Sequence, residues 1–384
     1  MGFIMLKSKT VLLVSLDTTR TDVLFSGKFP FIEKKIKESI TFKNAVVSAP
    51  LTPVSHASVF TGQLPNRNGI KHLFVEKLGE ETVTLAEIFK KYGYSTGAIV
   101  SCPGLNRWYK FNKGFDYYND ELAKLPDGTD ALNTVDVEKR GSVKRRANVV
   151  VDLGKKFLKK NYNKNTFLFL HFFDAHWPYD APIKFGGENC YEQEIYYSLH
   201  YLEEMLENLS LDSYYDDLTL IMFNDHGEDL NGLYPNDKGG ELLGHPEEKG
   251  HGCLLYNQTI KSFIMFYHKD LKLNFVHDDY VHLVDLFPTV CDIFNFTYDK
   301  SSVDGLSLLP YFHDKNISNK RILFCETYYP EEFISNFGIY KDIENKEAYI
   351  FSNRFKLIIS KKTNKVELYD LENDVFEEDN LIER

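Results

Sequence analysis

Residues 218–228 of the chain read LTLIMFNDHGE, an apolar run followed at once by polar residues that can bind a cation. The run from 218 to 223 has the length and composition of a buried β-strand. Asp225 and His226 therefore follow the carboxyl end of that strand, where open α/β sheets place their ligands. Carboxylate oxygens and imidazole nitrogens are ligands that zinc and manganese ions accept. The segment indicates a metal site at the edge of a sheet.

Two other apolar runs end in a similar way. Residues 10–16 precede Asp17, and residues 166–173 precede Asp174, with His176 two residues further on. Parallel strands present their carboxyl ends at one edge of a sheet, so these acidic and histidine side chains are expected to meet. Three strands that each deliver such a group predict one metal-centred active site.

Helical patterns separate the apolar runs, which predicts an α/β fold. The alternation indicates a three-layer α/β/α sandwich around a large, mostly parallel mixed sheet. Beyond residue 300 the apolar residues alternate in short segments, which is typical of a small antiparallel sheet. We therefore expect a large domain over residues 1–300 that carries the site, and a C-terminal subdomain over residues 301–384. The predicted strands are 10–16, 94–100, 166–173, 218–224 and 261–267, then 321–327, 347–351, 354–359 and 366–371 in the small sheet; the predicted helices are 30–39, 54–62, 84–92, 143–160, 190–209 and 280–294.

Composition and charge exclude several classes of protein. The formal net charge is −11, whereas broad nucleic-acid binding needs a basic surface, so no nucleic-acid partner is expected. The five cysteines are scattered without a CxxC spacing, which argues against a disulfide framework and a structural zinc site. No run of about 18 apolar residues is present, so no membrane span is predicted. The first residues lack the order of a signal peptide, and the cytoplasm is the expected location.

Residues 49–62, with the sequence APLTPVSHASVFTG, predict a loop that leads into a helix. Thr52 can cap this helix, with Pro53 at the first helical position. A helix N-terminus also attracts anions, and a hydroxyl placed there beside a metal ion would be an activated nucleophile. The two roles are compatible, and the residues alone leave both open.

Eight segments in this order and spacing resemble the alkaline phosphatase superfamily, in its sulfatase-like branch. Each segment is a weak signal, but their combination is specific, and the resemblance runs almost from end to end of the chain. The segments are VSLDTTRTD (14–22), APLTPVSHASVFTG (49–62), HFFDAHWPY (171–179), NDHGE (224–228), KGHG (249–252), DLFPT (285–289), DGLSL (304–308) and ELYDLE (367–372).

The resemblance implies a cofactor and its ligands. In this family, Asp17, Asp225 and His226 would bind a divalent cation such as manganese, zinc or calcium. The Thr52 oxygen would complete the ligand set. Such an ion lowers the pKa of the hydroxyl, orients it and offsets charge on the transferring group.

The resemblance also assigns roles on the substrate side. His176 would lie near the leaving oxygen as a general acid, with a packed residue of an aromatic cluster as the alternative role. His251 and Lys249 would hold the anionic oxygens of the substrate. His56 occupies the place where sulfatases carry an arginine that supports the nucleophile.

A second metal ion stays an alternative. Relatives with two ions use an aspartate, a histidine four residues later and a distant histidine. Asp174, His176 and His251 are the candidates in this chain, but only two residues separate the first pair. This departure favours one metal site over two.

The nucleophile segment also bears on the reaction. Sulfatases of this family oxidise a cysteine or serine in a Cys/Ser-x-Pro-x-Arg motif to formylglycine. Here residues 52–56 read TPVSH, and a secondary alcohol cannot give that aldehyde. The resemblance therefore implies a phosphoesterase, phosphodiesterase or phosphotransferase that forms a phosphothreonine at Thr52.

The substrate class stays broad at this stage. The expected substrate is an anionic ester of a small molecule, a glycan or a lipid, with phosphomonoesters, phosphodiesters and phosphonate esters all included. One alternative is a sulfuric ester hydrolase that works without formylglycine. Another, from a different class, is a non-catalytic metal-binding protein. The sequence carries no signal for the oligomeric state.

Overall fold

The computed structural model describes residues 6–134, 137–230, 232, 240–246, 248, 250–271, 275–314, 317, 320–330 and 343–383. Its strands are β1 (Thr10–Leu16), β2 (Ser39–Val46), β3 (Ser95–Ile99), β4 (Tyr117–Asn119), β5 (Thr166–Phe172), β6 (Leu218–Phe223), β7 (Lys261–Tyr267), β8 (Val276–His282), β9 (Leu323–Thr327), β10 (Lys346–Phe351), β11 (Phe355–Ser360) and β12 (Val366–Asp370). Its α-helices are α1 (Thr21–Leu24), α2 (Pro30–Ile36), α3 (Thr52–Thr61), α4 (Pro65–Asn68), α5 (Leu85–Lys91), α6 (Val137–Gly141), α7 (Ala147–Lys160), α8 (Cys190–Ser210), α9 (Asn257–Ile260) and α10 (Leu286–Ile293).

Within the described residues, the large sheet has the strand order β4-β3-β5-β1-β6-β7-β2-β8. The five strands from β4 to β6 pair in parallel, while β7 runs antiparallel to both β6 and β2. The edge strand β8 pairs in parallel with β2. The sheet is therefore mixed and mostly parallel, as predicted, and β5, β1 and β6 lie side by side at its centre.

Apolar side chains fill both faces of this sheet. Along β1, Val11 and Leu13 belong to one core, and Leu12 and Val14 belong to the other, because successive side chains of a strand point to opposite faces. The first core packs α3, α5 and α10, and the second packs α2, α7 and α8. Burial of each such apolar side chain contributes about 1.5–3 kcal/mol to the free energy of folding. The predicted three-layer sandwich is confirmed.

Local signals set the ends of several helices. A capping box between Thr84 and Glu87 begins α5, and the Asn189 side chain accepts the Glu192 N–H at the start of α8. Helix α3 ends at Gly62, which adopts a left-handed conformation with φ of 68°. None of the helices in the described ranges is both long and apolar enough to cross a lipid bilayer.

Three described strands of the large sheet, the short β4 and the longer β2 and β8, were not predicted. β2 has the mixed sequence SITFKNAV, and β8 has the polar sequence VHDDYVH. The predicted helix 280–294 is wrong over its first residues, which belong to β8, and α10 begins only at Leu286. β8 is an edge strand, so its outer residues face solvent and no continuous apolar run marks it.

The second sheet is antiparallel, in the order β12-β11-β10-β9, as predicted. Its residues Cys325, Ile350 and Ile358 belong to the same apolar core as α3. The Glu326 N–H donates to the carbonyl oxygen of Ser48 at 2.9 Å, just before the segment that carries Thr52. The small sheet thus packs against the segment that carries Thr52, and the domain boundary at residue 300 stays a prediction.

Candidate active site

Three neighbouring strands bring acidic and histidine side chains to one edge of the sheet. In the β1–β5 and β1–β6 registers, Ser15 lies opposite His171 and Phe223. Asp17 and Asp225 each follow two residues after the aligned positions Ser15 and Phe223, beyond the strand ends. One ligand atom from each of Asp17, Asp225 and His226 lies within 4.8 Å of the other two. The polar side chains that follow β1 and β6 therefore lie close together in the structure, as expected from the sequence.

Thr52 is the first residue of α3, and its hydroxyl faces this cluster. Thr52 Oγ1 donates to Asp17 Oδ2 at 3.2 Å and lies 3.3 Å from His226 Nε2. The predicted capping role is wrong, because Leu51 occupies the N-cap position and no side chain caps the helix. The threonine hydroxyl therefore contacts the cluster and does not cap the helix.

The hydrogen bonds around the cluster prepare its atoms for a cation. His226 Nδ1 donates to the carbonyl oxygen of Gly227 at 2.9 Å, which leaves Nε2, 3.3 Å from Thr52 Oγ1, as the ring nitrogen that can bind a cation. Asp225 Oδ1 accepts the N–H groups of Thr18 and His226 at 3.2 and 2.9 Å. Among the described residues, the fully buried atoms Asp225 Oδ2 and Asp17 Oδ1 have no hydrogen-bond partner. Buried carboxylate oxygens without partners are costly, and a divalent ion between them fits the donor set.

His171 is a residue that sequence reasoning missed. Its Nδ1 accepts the Ser101 N–H at 3.3 Å, so its Nε2 carries the proton and donates to Asp17 Oδ2 at 3.0 Å. Burial lowers the pKa of His171 to about 4, which keeps the ring neutral near pH 7. A neutral imidazole that orients a ligating carboxylate is a common support of metal sites. The available signal was a histidine at the carboxyl end of an apolar run.

His56 lies one helical turn after Thr52 and is fully buried. Its Nδ1 donates to the Thr52 carbonyl oxygen at 2.8 Å and lies 3.5 Å from Asp225 Oδ2, while its Nε2 lies 2.9 Å from Ser15 Oγ. Burial lowers the pKa of His56 to about 3, so the ring is neutral. His56 therefore contacts the main chain of Thr52, and its supporting role stays a proposal.

His176 and His251 lie on the open side of the cluster. The His251 ring centroid is 4.2 Å from that of His226 and 5.3 Å from that of His176. The His176 ring also stacks on Phe173 at 4.1 Å, and its Nδ1 lies 2.7 Å from the Trp177 carbonyl oxygen. The two roles considered for His176, an aromatic neighbour and a site residue, are both compatible with this position.

A buried lysine holds the segment that carries His176. Lys144 Nζ donates to the carbonyl oxygens of Pro178 at 2.6 Å and His176 at 3.4 Å. The same ammonium pairs with Asp180 at 3.0 Å and with the buried Glu194 at 3.5 Å. Separation of a buried ion pair costs free energy. Lys144 is therefore held in place by its acidic partners and in turn holds the segment that carries His176.

Asp174, His176 and His251, the candidates for a second metal ion, do not form a three-ligand group among the described residues. Asp174 Oδ1 accepts the Ala147 N–H at 3.2 Å and lies 3.7 Å from Arg146. Within the described ranges, every group of three potential ligands contains Asp17 or Asp225, and none contains Asp174, His176 or His251. Lys249 lies outside the described residues.

The buried carboxyl groups of the cluster predict that the stability of the metal-free protein depends on pH. Burial raises the pKa of Asp17 and of Asp225 from 3.8 to about 6, and for Asp225 the charge of Asp17 adds to the shift. Each carboxyl binds its proton more tightly in the folded chain, so its contribution to stability falls as pH rises from about 4 through about 6. We therefore expect Asp225→Asn to raise the Tm of the metal-free protein more at about pH 7.5 than at about pH 5.

Thermal unfolding with a chelator present measures this difference. The comparison between variant and wild type is needed because the buried His56 and His171 have lowered pKa values and titrate with the opposite sign. An Asp225→Asn variant with the same Tm change at both pH values would contradict the prediction.

Comparison with known proteins identifies the family of the chain. Residues 9–296 match the family model described as Sulfatase. The uncharacterized sulfatase YdeN of Escherichia coli (strain K12) is 22% identical, and the alignment covers 92% of this chain and 72% of that protein. Enzymes of this family use a divalent metal ion, in agreement with the ligand cluster around Asp17 and Asp225.

Solved structures show the same fold. BT4656 in complex with its substrate D-glucosamine-2-N,6-O-disulfate has a TM-score of 0.74 at 13% identity, over 98% of this chain and 94% of that chain. The phosphonate monoester hydrolase SpPMH from Silicibacter pomeroyi has a TM-score of 0.71 at 17% identity, over 98% of this chain and 91% of that chain. The resemblance predicted from the segments is confirmed, and the chain belongs to the sulfatase family, a family of hydrolases in the alkaline phosphatase superfamily.

Proposed function

We propose that the protein is a metal-dependent hydrolase or transferase of phosphoesters that uses unmodified Thr52 as its nucleophile. One observation carries the proposal: Thr52 Oγ1 lies 3.2 Å from Asp17 Oδ2 and 3.3 Å from His226 Nε2, at the first residue of α3. A helix N-terminus adds partial positive charge where an anionic ester would bind. The hydroxyl is thus placed at an anion-attracting position and within reach of proton acceptors.

The residues of the site divide the chemistry between them. Asp17, Asp225 and His226 would hold the divalent ion, which would lower the pKa of the Thr52 hydroxyl and offset negative charge on the substrate. The Thr52 oxygen attacks phosphorus as the bond to the leaving oxygen breaks, and its proton passes to an acceptor such as Asp17. Water then hydrolyses the phosphothreonine, or an acceptor alcohol takes the phosphoryl group.

The sequence of residues 52–56 supports phosphoryl transfer by an unmodified threonine over a reaction that uses formylglycine. Residue 52 is a threonine, and the next hydroxyl in the segment belongs to Ser55. Ser55 is fully buried, and its Oγ donates to the carbonyl oxygen of Asp225 at 2.7 Å. Ser55 therefore holds the main chain of the metal segment and does not offer a second nucleophile.

A substrate panel tests the proposal. The protein is loaded with manganese or zinc and assayed on 4-nitrophenyl phosphate, bis(4-nitrophenyl) phosphate, a phenylphosphonate ester and 4-nitrophenyl sulfate. We expect the phosphorus esters to dominate and mass spectrometry to find Thr52 unmodified in the resting protein. Dominant turnover of the sulfate ester would overturn the proposal in favour of sulfate hydrolysis, the alternative that the sulfated substrate of BT4656 favours. Absence of bound metal and of any turnover would support a non-catalytic protein.

Replacement of His176 tests its role at the leaving oxygen. His176→Ala should slow esters with poor leaving groups more than 4-nitrophenyl esters, by about 10²-fold or more, because a good leaving group needs no proton. The measurement is kcat/KM over a series of leaving-group pKa values. His200→Ala removes an exposed imidazole of α8 and serves as the control. Equal losses across the series would argue against the acid role.

A further inference from the structure

Glu228 is a buried carboxylate that no role described so far explains. It ends the NDHGE segment, two residues after His226, and only 1% of its surface is exposed. Its Oε1 lies 3.0 Å from Nδ1 of His251, whose side chain is 15% exposed. A buried carboxylate is thus paired with an imidazole that reaches the open side of the site.

The main chain is built to bring these two side chains together. Asp229 and Gly250, the neighbours of the pair, form an antiparallel bridge with N–H···O distances of 2.6 and 3.0 Å. Gly250 has a φ of +85°, and a Cβ at this position would lie 2.9 Å from Glu228 Oε1. Glycine adopts this positive φ without strain and leaves room for Glu228 Oε1. The backbone at Gly250 therefore allows Glu228 and His251 to make contact.

A third segment joins at the same carboxylate. The side chain of Tyr179 forms a hydrogen bond with Glu228. Tyr179 belongs to the segment of His176, whose carbonyl oxygens also accept hydrogen bonds from Lys144. Glu228 therefore connects the metal segment with the two segments that carry His176 and His251.

We propose that Glu228 is a positioning residue that fixes the His251 ring for contact with substrate. The hydrogen bond between Glu228 Oε1 and His251 Nδ1 sets the ring orientation and leaves Nε2, the other ring nitrogen, for contact with a substrate oxygen, as carboxyl groups do for histidines at other sites. The inference rests on the proposed function only in giving His251 a role towards substrate. It assigns no ligand or nucleophile role to Glu228 itself.

A double-mutant cycle tests the coupling in the metal-loaded enzyme. Glu228→Ala should lower kcat/KM by about 10–100-fold, the usual loss for such supporting partners. Glu228→Gln should recover most of the activity, because its amide group can still form a hydrogen bond with His251 Nδ1. The combined Glu228→Ala, His251→Ala variant should be no slower than His251→Ala alone, since two groups that act through one contact are not additive. Fully additive losses, or no recovery by glutamine, would overturn the proposal.

A measurement without turnover separates this proposal from the proposed function. Nitrogen-15 NMR of the histidine rings, in the zinc-loaded protein, reports the protonated nitrogen of His251, with His251→Ala as the assignment control. Glu228→Ala should shift the His251 resonances and leave those of the exposed His200 unchanged. If these shifts occur in a protein that hydrolyses no ester, the positioning role stands and the proposed function fails. If the His251 resonances stay unchanged in an active enzyme, the positioning role fails alone.

Discussion

Thr52→Ala is expected to lower kcat/KM by on the order of 10⁴-fold or more, because the variant has no oxygen to form the covalent intermediate. The bound metal should largely remain, since Asp17, Asp225 and His226 keep their ligand atoms. Steady-state kinetics on the preferred phosphorus ester and elemental analysis of the purified variant measure the two effects. Loss of turnover with retained metal would separate a nucleophile from a mere ligand.

Two further variants make the result specific. Thr52→Ser retains a hydroxyl at the same place and should keep far more activity than Thr52→Ala. Ser58→Ala removes a buried hydroxyl from the same helix, where it donates to the Val54 carbonyl oxygen and does not face the cluster. This control should remain close to wild type. A Thr52→Ala enzyme with most of its activity would show that the nucleophile lies elsewhere.

Asp225→Asn is expected to lose both metal and turnover. The substitution removes the charge of a fully buried carboxylate whose Oδ2 has no hydrogen-bond partner among the described residues. Metal affinity should fall by more than about 100-fold and kcat/KM by at least about 10³-fold, because the remaining groups supply too little negative charge. Calorimetric titration with manganese or zinc measures the affinity, and kinetics in saturating metal measure the turnover.

Asp174→Asn is the matched control for this experiment. Asp174 is equally buried and also follows a strand of the sheet, but it lies in none of the described ligand groups. Its replacement should leave metal binding within a small factor of wild type, whatever it does to the nearby His176 segment. If Asp174→Asn lost the metal and Asp225→Asn kept it, the assignment of the centre would be wrong.

The sequence predicted those parts of the fold in which local pattern and tertiary environment agree. β1, β5 and β6 are buried on both faces, so their apolar runs are continuous and easily recognised. β2 and β8 form because neighbouring strands accept them, and their own residues are mixed or polar. Strand pairing of this kind depends on distant segments, which a local pattern does not contain.

The same distinction applies to the site. Asp17 follows an apolar run directly, and Asp225 and His226 follow one after a single residue, so their position at the sheet edge was predictable. His171 lies inside such a run, and its approach to Asp17 depends on the pairing of β1 with β5. Glu228 meets His251 across 23 residues of chain through a two-residue bridge, which no spacing rule describes.

Helix α3 begins without help from the side chain at position 52, since Leu51 occupies the cap and the threonine hydroxyl turns away. The start of α3 therefore does not depend on a hydrogen bond from the side chain at position 52. An exchange of the group at position 52, the proposed nucleophile, is therefore expected to leave the start of α3 intact, so that the reaction could change while the fold is conserved.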